Sequence, residues 1–194
     1  MNGMSSAIVI QAPPKAVKVV ATDDTLTVEQ SQKCPQCGAE VPLGGQCRNR
    51  FDLCLAYEYE NPTTFGAVHH LTVACYMLQH NAYSRNVWLA AREMVTQFIY
   101  QGITPADVRK KNRKRLDSGQ RNWRVTKGEK LSEFDAIVWS RTIADVRLDD
   151  PEIYCVDVRR WAISVLEDTA DLVEKSRAET QRRRGVTHKR GAPR

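Results

Sequence analysis

Four residues offer the clearest chemistry in this sequence. Cys34 and Cys37 stand two residues apart in KCPQCG, and Cys47 follows across a loop containing Pro42, Gly44 and Gly45. A Cys-x-x-Cys turn aims two thiolates at one ion, and the glycine after it relieves the backbone. A structural zinc site is tetrahedral and needs four ligands, so two must come from elsewhere. Cys47 is the natural third. The candidates for the fourth are Cys54, His69, His70 and His80.

Helical spacing narrows the choice. The segment 48–60 places Phe51, Cys54 and Leu55 on one face and ends at Asn61-Pro62. The segment 67–80 is apolar nearly all round, which predicts a central helix. A short connection makes the two antiparallel, so the start of the first lies beside the end of the second, where His80 stands. His69 and His70 lie at the far end, roughly 15 Å away at about 1.5 Å per residue. Cys54, two turns into its helix, suits a core position. The expected zinc set is therefore Cys34, Cys37, Cys47 and His80. Cys75 and Cys155 sit in apolar stretches and are expected to pack in the core.

A second polar cluster is expected where the first helix ends and the second begins. His69 and His70 need partners if buried, and Glu58, Glu60 and Asp145 are candidates to supply them. Adjacent helical residues point about 100° apart, so only one of the two histidines is expected to face a given pocket.

The remaining elements position these clusters. Ser84 can cap a helix over 85–101 that closes at Gly102. Thr104-Pro105 opens a short helix running into KKNRKR, residues 117–135 look irregular, and 136–148 suits strand or helix equally. Asp150-Pro151 opens a last helix over 151–179. The expected fold is mostly α: an antiparallel bundle of about four helices, with an N-terminal Cys-rich zinc-binding loop and a basic loop insertion. Residues 1–32 are expected to be an extended or disordered arm, 33–180 a single helical domain with its metal loop at 34–47, and 181–194 a disordered basic tail.

Charge is unevenly spread. The net charge is +6 in 194 residues, yet the tail 181–194 carries six Lys or Arg and no acid. Residues 109–130 hold ten basic side chains against Asp117 and Glu129. Arg113, Lys114, Arg115, Arg121 and Arg124 can meet phosphates, and Trp123 can stack on a base, so nucleic acid or an acidic protein is the expected partner. No apolar run reaches the roughly 18 residues of a membrane span, and the N-terminus lacks a basic signal-peptide region. The expected setting is the cytoplasm, where cysteines serve as metal ligands or core residues.

No P-loop, Gly-rich dinucleotide turn, Ser/His/Asp order or HExxH motif is present. This weighs against familiar enzyme classes without excluding an open three-ligand zinc site. Two functions stay in view. One is a zinc-stabilised binding protein acting through 109–130 and the tail. The other is a metal-dependent enzyme taking a small anionic substrate near Glu58, His69 and His70, with Arg121 or Arg141 holding the anion.

CPQCG, the third cysteine, the FDLCLAYEYENP helix, GAVHHLTVACYMLQH, SGQRNW and WSRTIADVR together resemble a family of small uncharacterised bacterial proteins. The likeness spans roughly 34–166. The family pattern does not depend on a cysteine at 54, which favours His80 over Cys54 as ligand, and it usually has Pro where Asn81 stands. It implies a metal site and no activity.

Overall fold

The computed structural model describes residues 17–22, 25–117, 125–131, 134–176 and 178. Three strands open the chain: β1 (Val17–Thr22), β2 (Thr25–Lys33) and β3 (Glu40–Pro42). They form an antiparallel sheet in the order β1-β2-β3, with Thr22 opposite Thr25 and Lys33 opposite Glu40. Much of the expected arm is therefore paired strand. VKVVAT and TLTVEQ are rich in β-branched residues, which suit a pleated ladder. Residues 1–16 and 179–194, and with them the basic tail, lie outside the described residues.

The helices follow: α1 (Cys47–Glu60), α2 (Pro62–Phe65), α3 (His69–Gln79), α4 (Arg85–Tyr100), α5 (Pro105–Asp117) and α6 (Pro151–Asp168). α2 is a single turn within the expected loop. Ser84 stands at the N-cap of α4 without a side-chain capping bond. Its backbone N–H donates to the Val125 carbonyl instead, tying α4 to the basic segment. Gly102 takes φ +64 after α4, the left-handed value expected of a closing glycine. Thr104 and Asp107 cap α5 reciprocally, and the Asp150 carboxylate accepts from the Glu152 and Ile153 N–H groups at the start of α6.

Residues 136–148 form neither strand nor long helix. One 3-10 turn ends at Ala136 and another spans Ile143–Asp145, the latter closed by a Thr142–Asp145 capping box. Ile143 and Val146 are buried, so this segment is a strap that plugs into the core. The last helix breaks at Thr169 and resumes over 170–176. At the break the Thr169 hydroxyl donates to the Val165 carbonyl while Arg92 donates to both the Thr169 hydroxyl and the Leu166 carbonyl.

The long helices make a mostly α bundle whose directions alternate along the chain. Cys47 at the start of α1 meets His80 just past the end of α3, and Glu58 near the end of α1 meets His69 at the start of α3. Trp88 near the start of α4 donates its indole N–H to the Leu78 carbonyl near the end of α3. α6 lies alongside α3 in the same direction, since Tyr154 pairs with Thr72 and Trp161 with Gln79. α3 is thus the central helix, as its all-round apolarity predicts. It also buries a polar side chain. Fully enclosed Gln79 accepts from the Trp161 indole and donates to the Arg141 carbonyl, satisfying both ends of its amide.

Candidate metal centre

Each member of the Cys-His set has its own local support. Cys34 and Cys37 occupy the turn between β2 and β3. The Cys34 N–H donates to the Ala39 carbonyl, and the Gly38 N–H donates to the Cys34 carbonyl, each at 2.9 Å. Gly38 holds φ +73, which strains any residue with a side chain. Cys47 is the first residue of α1. His80 caps the C-terminal end of α3.

The four ligand atoms lie within 4.8 Å of one another. Cys47 Sγ is 2.9 Å from His80 Nε2, 3.4 Å from Cys34 Sγ and 4.0 Å from Cys37 Sγ, and Cys34 Sγ is 3.8 Å from His80 Nε2. Metal–sulfur bonds of about 2.3 Å arranged tetrahedrally give sulfur–sulfur edges of about 3.8 Å. The cluster therefore has the size and the donor set of a metal site.

The surroundings orient the donors. His80 Nδ1 donates to the Tyr76 carbonyl at 2.7 Å, which fixes the tautomer and leaves Nε2 as the ligand atom. The Tyr76 ring stacks on the His80 ring with centroids 4.0 Å apart, and Phe51 stacks on Tyr76. Burial holds His80 below its ordinary pKa, against the pull of the carbonyl bond, so the imidazole is neutral and free to ligate near pH 7. Burial pushes the Cys37 and Cys47 thiols up. It pushes Cys34 up as well, but backbone N–H groups of Cys37 and Gln36 outweigh it and leave that thiol below its usual value. Cys34 is the readiest thiolate of the three.

The competing ligands sit elsewhere. Cys54 is fully buried in the core, its thiol pushed up to about 11 by burial. Cys75 is buried too, and Cys155 is half-buried with its thiol against the Thr64 carbonyl. His69 and His70 lie at the opposite end of α3. Asn81 follows His80 at φ +45, a left-handed value open to Asn and closed to Pro.

That opposite end holds the second polar cluster. Glu58, buried, accepts from the Thr72 hydroxyl and the Tyr154 hydroxyl at Oε1 and from His69 Nδ1–H at Oε2, each contact at 2.6 Å. Glu60 is exposed, and Asp145 is engaged with Thr142. Both His69 and His70 line one groove, contrary to the expectation that only one would. The groove runs past the first turn of α3, where adjacent side chains both reach its wall, and the two rings meet edge to face with centroids 5.7 Å apart. Arg141 does not line it; the Arg141 backbone carbonyl serves Gln79 instead.

In the basic segment, Arg113 is exposed on α5, with Lys114 and Arg115 next along the helix. Arg121, Trp123 and Arg124 lie outside the described residues. Among the described residues no helix is long and apolar enough to cross a membrane.

Sequence reasoning missed several residues. Tyr76 was detectable, being four residues before His80 and so on the same helix face. Thr72 and Tyr154 were not singled out, and Tyr154 reaches Glu58 across 96 positions of sequence, which no local pattern reveals. Arg109 and Lys111, which line the groove, are not distinguished by sequence from the other basic residues of the charge run.

Fold and site define a helical-bundle protein with a Cys3His cluster clamped between a β-hairpin and two helices. The chain belongs to DUF5946, a family of unknown function, which it matches over residues 32–170. No curated protein and no solved structure matches it.

Proposed function

We propose that this chain is a zinc-stabilised binding protein of the bacterial cytoplasm, whose basic segment and tail engage nucleic acid or an acidic partner. The observation that carries the zinc reading is the closure of the cluster. Four protein ligands, three of them sulfur, converge within 4.8 Å, and a site with four protein donors staples a fold where a catalytic zinc keeps one position for water. The ion would join the β2–β3 turn to the start of α1 and the end of α3. Free rather than paired cysteines accord with a reducing compartment.

The binding half of the reading is supported by α5, which exposes Arg109, Lys110, Lys111 and Arg113. Reversing Arg113, Lys114 and Arg115 to glutamate is expected to abolish binding to a duplex oligonucleotide and leave the melting temperature unchanged. Parent binding should fall steeply between about 50 and 200 mM salt, as counterion release requires. Fluorescence anisotropy across that salt range checks it. A triple variant that binds as tightly as the parent would refute the reading.

The metal-dependent enzyme reading requires a metal near Glu58, His69 and His70. Among the described residues the group suited to hold an ion is the Cys34, Cys37, Cys47 and His80 cluster, at the other end of α3. The small-anion half of that reading has independent support from the groove.

A further inference from the structure

We propose that the groove between α3, α4 and α5 binds a small apolar carboxylic acid, with the carboxylate held by Arg109 and His70 and the apolar body laid along Val73, Ala91, Met94 and Val108. The inference does not rest on the zinc reading, and it shares Arg109 with the proposed basic face of α5.

The groove has a volume of about 710 Å³, within the range of about 300–1,000 Å³ typical of small-molecule sites. Its walls come from three helices. α3 and α4 supply an apolar floor, and α5 lays Val108 and Arg109 across one side. An apolar trough with a few converging polar groups is the usual form of a ligand site.

The polar groups differ in how far they are engaged. Gln97 donates to Glu93 at 3.2 Å and accepts from Lys111 at 3.0 Å, so Glu93 and Lys111 are both engaged through one amide. Among the described residues Arg109 has no carboxylate partner. His70 Nδ1 is buried and has no hydrogen-bond partner there either. Burial, with the His69 and Arg109 charges, holds His70 below its ordinary pKa, so the neutral ring has one N–H to donate.

His69 cannot supply this function in the same way. Its Nδ1 is committed to Glu58, which Thr72 and Tyr154 hold in place. It forms the fixed wall beside His70. The end of the groove thus presents one guanidinium and one imidazole to an anion, next to an apolar surface. A carboxylate suits this pair, since guanidinium binds it through two parallel hydrogen bonds. A neutral ligand would leave Arg109 unmatched.

Isothermal titration of the metal-loaded full chain with decanoate, and with decanol as its neutral counterpart, tests the proposal. Decanoate is expected to bind saturably, one molecule per chain, and decanol at least about tenfold more weakly. Arg109→Gln is expected to weaken decanoate about tenfold, equivalent to about 1.4 kcal/mol, while decanol binding and melting temperature stay the same. Arg109 is exposed, so this variant is expected to fold. Equal binding of decanoate and decanol, an unchanged decanoate affinity in Arg109→Gln, or no saturable heat from either probe would overturn the proposal.

Discussion

A Cys47→Ser chain is expected to lose its metal ion and, with it, the anchoring of the β-hairpin to the bundle. Cys47 is the hub of the cluster, with its sulfur within 4.0 Å of the ligand atoms of Cys34, Cys37 and His80. Serine offers a poorer ligand than thiolate for a soft, sulfur-rich site. An ion present at a thousand times its dissociation constant stabilises the folded state by about 4.1 kcal/mol, and a chain that cannot bind it forgoes that amount. Thermal melts with and without a chelator check this. The parent should melt lower in chelator, Cys47→Ser should be indifferent to it, and Cys54→Ser should keep the chelator response because Cys54 packs in the core away from the cluster. Parent melts unaffected by chelator would contradict the staple.

The same site sets a pH dependence. Burial makes the Cys37 and Cys47 thiols hold their protons more tightly than free thiols, so binding an ion must displace those protons. Metal-linked stability is therefore fullest at alkaline pH and is lost as the pH falls, because acid favours the metal-free, protonated thiols.

The second large effect is expected at Glu58. Its carboxyl group is the shared acceptor for Thr72, Tyr154 and His69, which belong to α3 and α6 while Glu58 belongs to α1. Glu58→Ala removes one acceptor from three donors and leaves two buried hydroxyls without it. Leaving a buried hydroxyl without its acceptor costs about 1–3 kcal/mol, so a loss of that size is expected for each of the two. Glu58→Gln keeps an oxygen for the two hydroxyls, and His69 can turn its other tautomer toward the amide N–H, so a loss of about 1 kcal/mol is expected. Urea unfolding measures both, with metal content unchanged in each. A Glu58→Ala chain as stable as the parent would show that the cluster contributes nothing.

The ends of α3 were legible in the sequence because antiparallel helices joined by a short connection have few ways to pack. That argument puts Cys47 beside His80 and Glu58 beside His69, and both contacts are present. Capping chemistry marked the starts of α5 and α6, at Thr104 and Asp150, for the same local reason. What escaped was set by tertiary contacts. The strap at Ile143 and Val146 has the apolar content of a strand or helix, yet a Thr142–Asp145 box closes it after one turn and the core takes its side chains. The β1–β2 hairpin was hidden by the Pro-, Ser- and Gln-rich surroundings of two short apolar patches. The groove depends on where α5 lies against α3 and α4, and charge spacing along 109–130 carries no information about that.

Metal content per chain in purified parent and His80→Ala protein, with zinc and iron quantified together, tests the central claim most directly. The account predicts about one zinc ion per parent chain and loss of that ion in His80→Ala, as expected for a closed four-ligand site. Iron in place of zinc, more than one ion per chain, or an ion that survives the His80 change would contradict it.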